Sequence, residues 1–184
     1  MDLRVILISG FNQHHGRWNG SLKLREKLID CGHCKTVEYY PWKSDWKAIA
    51  EMLWLVNEFT PEETRYIVAG YSYGGGWGAR LLFRYLKRRA IRIEHAILCD
   101  PVHRGIYAPL GWVGKWPIFV PNNVASVTVF RQEIDYPRGC GIKLESPNTQ
   151  HLEGELLQVG HVYADDHPDY HQAVMDAVHD VTHP

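Results

Sequence analysis

The chain has 184 residues, of which 45% are hydrophobic and 22% charged. That size and composition suit one folded domain over residues 1–184 that buries roughly 70% of its unfolded surface, and argue against disorder. With 20 basic and 21 acidic side chains the formal net charge is −1, so no electrostatic footprint for nucleic acid or an anionic membrane surface is present.

The first apolar stretch, Leu3–Ser9, reads as a buried strand and is too short for a secretory signal. No run approaches the roughly 20 apolar residues that span a bilayer, and the expected location is cytoplasmic. Gly10-Phe11-Asn12 follow this strand, with His14 and His15 close behind. An amphipathic helix over Gly20–Asp30 carries Leu22, Leu24, Leu28 and Ile29 and ends at Cys31-Gly32-His33-Cys34. That spacing fits a redox pair or two zinc ligands. The motif, however, closes a helix, where the dipole opposes a thiolate, and Cys99 and Cys140 form no second pair. Gly32 is expected as a C-cap, and no metal is expected.

Lys35–Tyr40 is the second strand. The helix Asp45–Phe59 follows, with Ile49, Met52, Leu53 and Val56 at helical spacing and Ser44 or Asp45 as its cap. The strand Arg65–Ala69 runs into Gly70-Tyr71-Ser72-Tyr73-Gly74-Gly75-Gly76 and a helix over Gly75–Arg89. In that helix Leu81, Leu82, Tyr85 and Leu86 form the apolar stripe and Arg84, Lys87 and Arg88 the wet face. His95–Cys99 is a strand ended by Asp100-Pro101. Residues 101–123 then carry Pro101, Pro109, Pro117 and Pro121 with Tyr107, Trp112, Trp116 and Phe119. So long a connection in a compact domain points to a functional cover loop, in which Trp112 and Trp116 are expected to meet substrate.

Ser126–Phe130 and Glu155–Val159 are the last strands. Asp135 follows the first of them, His151 precedes the second and His161 comes directly after it. His167 and His171 have metal-ligand spacing, but Asp165-Asp166-His167-Pro168 reads as a loop feeding the helix Tyr170–Val181 with proline in its first turn. His167, His171, His179 and His183 are expected at the surface. The alternation of strands and helices predicts a three-layer α/β/α sandwich around a mostly parallel sheet of about six strands, with ligands at the strands' carboxyl ends.

The glycine-flanked serine carries the chemistry. Between a strand and a helix, Gly-x-Ser-x-Gly holds the serine on a sharp, strained turn that lifts its hydroxyl above the sheet. The positions two before and two after must be small because strand and helix pass close together; here they are Gly70 and Gly74. No Lys-Ser/Thr follows the glycines and no G-x-G-x-x-G opens the first helix, so a phosphate loop is disfavoured.

With its strand–Gly–aromatic start, serine turn, strand-end Asp and late His, nearly the whole chain resembles the α/β-hydrolase family of serine esterases and lipases, in a short, cutinase-sized form. The resemblance implies Ser72 as nucleophile, His161 as base with His167 as rival, and an orienting acid. Asp100 is favoured for the acid because it sits at its strand tip before a proline; Asp135 is the alternative. It also implies an oxyanion hole from the N–H groups of Tyr73 and Phe11, with Asn12 as a second choice and a substrate contact. Ser9-Gly10 stands where the family usually has His-Gly. The expected activity is cleavage of a carboxylic ester, or else a thioester or amide, through an acyl-enzyme and without a cofactor. The expected partner is a small molecule with an apolar or aromatic group. The rival readings are a catalytically silent binding protein of the same shape and, less favoured, a thiol or zinc protein built on Cys31 and Cys34.

Overall fold

The computed structural model describes residues 1–11, 13, 19–60, 62–103 and 116–183. Asn12, His14, His15, Tyr107 and Trp112 lie outside the described residues. In chain order the elements are β1 (Asp2–Ser9), α1 (Gly20–Cys31), β2 (Thr36–Pro41), α2 (Trp46–Phe59), β3 (Thr64–Tyr71), a π-helical turn (Gly74–Gly78) and α3 (Ala79–Arg88). There follow β4 (Ile93–Cys99), β5 (Ile118–Val120), β6 (Val124–Gln132), β7 (Ile142–Leu144), β8 (Gln150–Leu157), a 3-10 turn (His161–Asp166) and α4 (Pro168–Thr182). Six strands make a wholly parallel sheet in the order β2-β1-β3-β4-β6-β8, as the alternation predicts.

The period-two alternation of each strand feeds two cores. Leu3, Val5 and Leu7 of β1, Ile67 and Ala69 of β3 and Ile97 of β4 pack with Leu24 and Leu28 of α1 and Tyr170 and Val174 of α4. Ile6, Ile8, Tyr66, Val68, Ala96 and Leu98 face the other way, onto Trp46, Ile49 and Leu53 of α2 and Leu82, Phe83 and Leu86 of α3. Each such side chain removed from water contributes about 1.5–3 kcal/mol, and together they fix three layers. Asn19 caps α1 by accepting from Leu22 N–H, Asp45 caps α2 by accepting from Lys47 and Ala48 N–H, and Gly32 ends α1 at φ +71°. No helix among the described residues is long and apolar enough to cross a membrane.

Several expectations need correction. The last sheet strand is Gln150–Leu157 rather than Glu155–Val159, so His151 lies within it. As an edge strand paired on one side, β8 is exposed along most of its length and carries no apolar pattern to read. Within residues 101–123, Ile118–Val120 is a strand that pairs with β7 in a separate two-stranded sheet. Ile29 and Met52 are exposed at 51% and 40%, because the buried faces of α1 and α2 are narrower than their apolar spacing suggests. The helix after Ser72 opens as a π-helical turn, which the crowding there explains: a Cβ on Gly76 would lie 2.0 Å from the Val102 carbonyl oxygen, and one on Gly74 would lie 2.3 Å from that of Ile8.

From β1 the chain moves to β2 on one side and later to β3 on the other. The carboxyl ends of β1 and β3 therefore flank the crevice where open α/β sheets bind ligands. Gly76→Ala tests the crowding beside it. A methyl group pressed onto backbone should destabilise the fold by about 2–3 kcal/mol, read as a lower urea midpoint at unchanged slope. An unshifted midpoint would contradict the close approach.

Candidate active site

Ser72 sits directly after β3 with φ +54°, in the left-handed region that a residue with a side chain rarely occupies. Its backbone is tied on three sides: its N–H donates to the Cys99 carbonyl at 3.0 Å, and its carbonyl accepts from Gly76 and Val102 N–H at 2.9 and 3.0 Å. Those bonds hold a strained turn in place. Asp100, one residue past β4, is also left-handed at φ +43° and wholly buried. His161 opens the 3-10 turn after β8 and is 8% exposed.

These three side chains form one chain of contacts. His161 Nε2 lies 2.9 Å from Ser72 Oγ, and His161 Nδ1 lies 2.5 Å from Asp100 Oδ2. A carboxylate can only accept, so Nδ1 carries the proton and Nε2 accepts from the serine hydroxyl. The ring is held by its surroundings: Tyr71 packs its own ring 5.3 Å away and donates its hydroxyl to the His161 carbonyl at 2.5 Å. A hydroxyl, an imidazole and a buried carboxylate in this order can pass a proton from oxygen to nitrogen while the carboxylate steadies the resulting cation.

Asp135 is also present, in another role. Its Oδ1 accepts from the backbone N–H of His161 at 2.7 Å, so it holds the loop while Asp100 meets the ring. Gln132, which no sequence pattern marks, organises both. Its Nε2 donates to Asp100 Oδ2 at 3.1 Å and to the Asp135 and Pro137 carbonyls, and its Oε1 accepts from Ile134 and Asp135 N–H.

The turn after β1 runs beside the serine: a Cβ on Gly10 would lie 3.0 Å from Ser72 Cβ and 2.8 Å from the Tyr71 ring. Phe11 and Tyr73, the residues expected to supply oxyanion donors, thus flank Ser72. Their rings are 5.9 Å apart, and both pack against Trp42, at 5.9 and 5.3 Å. Spacing alone could not have found Trp42, which reaches the site through the turn after β2. Of the expected substrate contacts, Asn12 and Trp112 lie outside the described residues. Trp116 is 43% exposed, with its carbonyl on His103 Nε2 at 3.1 Å.

His167, the rival base, caps α4 by accepting from Asp169 N–H. His171, expected at the surface, is buried at 3% exposure because it lies on the inner face of α4; Lys27 Nζ donates to its Nδ1 and its Nε2 donates to the Asp165 carbonyl. Among the described residues no group of three or more His, Cys, Asp or Glu is placed to hold a metal ion. Cys31 and Cys34 are not joined in a disulfide, and burial pushes the Cys34 and Cys140 thiols up to about 12, far from thiolate chemistry.

No family model and no curated protein matches this chain. Among solved structures it is similar to the RedJ thioesterase from the prodiginine biosynthetic pathway in Streptomyces coelicolor, at 14% identity over 97% of this chain and 85% of that one, with a TM-score of 0.47. It is also similar to a protein from Xanthomonas campestris pv. campestris named for the alpha/beta superfamily of hydrolases, at 13% identity over 94% and 98% of the two chains and a TM-score of 0.45. The chain's own wholly parallel six-stranded sheet, layered between helices and carrying a strained serine turn after β3, is an α/β fold.

Asp165, in the His161 turn, is wholly buried. Its Oδ2 accepts from Gln13 Nε2 at 2.9 Å and from Ser21 N–H at 3.1 Å. Burial outweighs those bonds and pushes its carboxyl up from 3.8 to about 6. A folded-state value above the unfolded one means that the stability this group contributes is fully present below about pH 4 and lost as pH rises through about 6. Asp165→Asn removes that titration. The urea midpoint of the variant should therefore gain on that of the wild type between about pH 4 and 7, whereas a constant gap would contradict the assignment.

Proposed function

We propose that the chain is a serine hydrolase that cleaves a carboxylic ester through an acyl-enzyme. The observation that carries this reading is the chain of contacts from Ser72 Oγ through His161 to Asp100 Oδ2, at 2.9 and 2.5 Å, buried at the carboxyl edge of the sheet. His161 Nε2 takes the hydroxyl proton as Ser72 attacks the substrate carbonyl, then delivers it to the leaving alkoxide. Water enters by the same route in reverse, giving up a proton to His161 as it releases the acid. Asp100, with two acceptor oxygens fixed by Gln132, keeps Nδ1 protonated and stabilises the imidazolium. Asp135 keeps the His161 loop in register.

The tetrahedral oxyanion is received by the Tyr73 and Phe11 N–H groups. No described residue accepts a hydrogen bond from either. Such preorganised donors are worth about 3–4 kcal/mol each in the transition state. The Phe11, Trp42 and Tyr73 rings form an apolar wall beside Ser72, which favours an ester with an apolar or aromatic acyl group over a charged one.

Initial rates on p-nitrophenyl esters test the division between the carboxylates. Asp100→Asn should lose on the order of 10⁴-fold in kcat, as in comparable triads, while Asp135→Asn should lose about tenfold or less. An equal or larger loss in Asp135→Asn would overturn the assignment of Asp100.

A further inference from the structure

Gln13 joins two parts of the site: the turn after β1 and the turn that carries His161. Its Oε1 accepts from Gly10 N–H at 3.0 Å, and its Nε2 donates to Asp165 Oδ2 at 2.9 Å. Its own carbonyl accepts from Asn19 Nδ2 and from the Tyr39 hydroxyl, so the residue is anchored from three directions. Asp165 in turn is anchored to the start of α1 by Ser21 N–H and to α4 by His171. A donor on one side and an acceptor on the other is what a primary amide provides and a carboxylate or hydrocarbon does not.

Gly10 lies against Ser72, and the next N–H along the chain is that of Phe11. With Gly10 N–H drawn inward to Gln13, the orientation of the following peptide is set from the Gly10 end. We propose that Gln13 is a positioning residue: by locking the Gly10–Phe11 turn to Asp165, it aims the Phe11 N–H at the oxyanion and fixes its distance from the base on the same His161–Asp166 turn. This rests on the reading of Ser72 as nucleophile and extends it to a side chain that touches neither the substrate nor the reacting atoms.

Loss of one oxyanion donor lowers kcat by about 10²–10³-fold. Gln13→Ala should therefore lower kcat by roughly 10²-fold and leave KM within a few-fold, because donors aimed at the transition state add little to ground-state binding. Gln13→Glu supplies a readout that simple loosening of the fold does not. A glutamate there still accepts from Gly10, but it faces the Asp165 carboxylate. In mild acid the pair shares one proton and the bridge persists; once both ionise, like charges push the turns apart. The variant's activity relative to wild type should thus fall as pH rises from about 5.5 to 8. The other groups facing Asp165 are Asp166 with its partner Lys23, His171 with Lys27, and Tyr71, Tyr170 and Cys99. They are common to both proteins and cancel in the ratio.

Fluorophosphonate labelling of the wild type separates the two levels of the reading. A wild type that takes no label sinks the hydrolase mechanism and this proposal with it. With the wild type labelled, near-wild-type kcat in Gln13→Ala overturns the positioning role alone. So does a Gln13→Glu to wild-type ratio that stays constant with pH, including a variant inactive throughout.

Discussion

Backbone crowding around the turn after β3 is the constraint on which the rest of the structure depends. The carbonyls of Ile8, Ser9 and Val102 and the backbone of Gly70 press so closely on Gly74, Gly75 and Gly76 that a single Cβ at any of them would meet backbone at 2.0–2.6 Å. Glycine there lets α3 start almost on top of the sheet, and the chain between strand and helix must turn within a few residues. Ser72 absorbs that turn at φ +54°, at a strain of order 1–3 kcal/mol offset by the three backbone bonds that hold it. The same crowding brings the ends of β1, β3 and β4 together, so that a turn from each faces one hydroxyl.

Around that hydroxyl the two carboxylates divide the work through geometry rather than residue type. Asp100 comes from a strand tip and points into the protein, where Gln132 donates its N–H to Oδ1 and its Nε2 to Oδ2, the oxygen that also meets His161. Asp135 comes from a looser turn and reaches only the backbone N–H of His161. A buried acceptor next to an imidazole sets its tautomer, and an acceptor on its backbone sets where the loop lies. The proposed machinery needs both settings.

Much of this was legible in the sequence because it follows from short-range rules. The strands β1, β3 and β4 carry apolar runs at residues 5–8, 66–69 and 96–99, buried on both faces, α1 and α2 carry recognisable caps, and the glycine spacing around Ser72 is a steric requirement written in consecutive residues. What stayed hidden belongs to features that carry no local signal. Strand β8 is an exposed edge and needs no apolar alternation, so its Gln-His-Leu-Glu start fell outside the strand expected at Glu155–Val159. His171 lies on the inner face of α4, and helical spacing alone does not say which of two polar-flanked faces turns inward. Trp42, Gln13, Gln132 and Asp165 reach the site from turns and a strand end far apart in sequence, and their roles depend on partners such as Gln13 with Asp165, 152 positions away. Asp100 and Asp135, by contrast, were both visible: the strand-tip position favoured Asp100, and the fold puts Asp100 on the His161 ring and Asp135 on its backbone.

The central claim is that Ser72 is a nucleophile activated by His161. Intact-mass analysis after brief exposure to a fluorophosphonate, with peptide mapping of the adduct, tests it most directly. The account predicts one equivalent on the wild type, located at Ser72, and none on Ser72→Ala or on urea-unfolded protein. Equal labelling of Ser72→Ala, or an adduct on another residue, would contradict it.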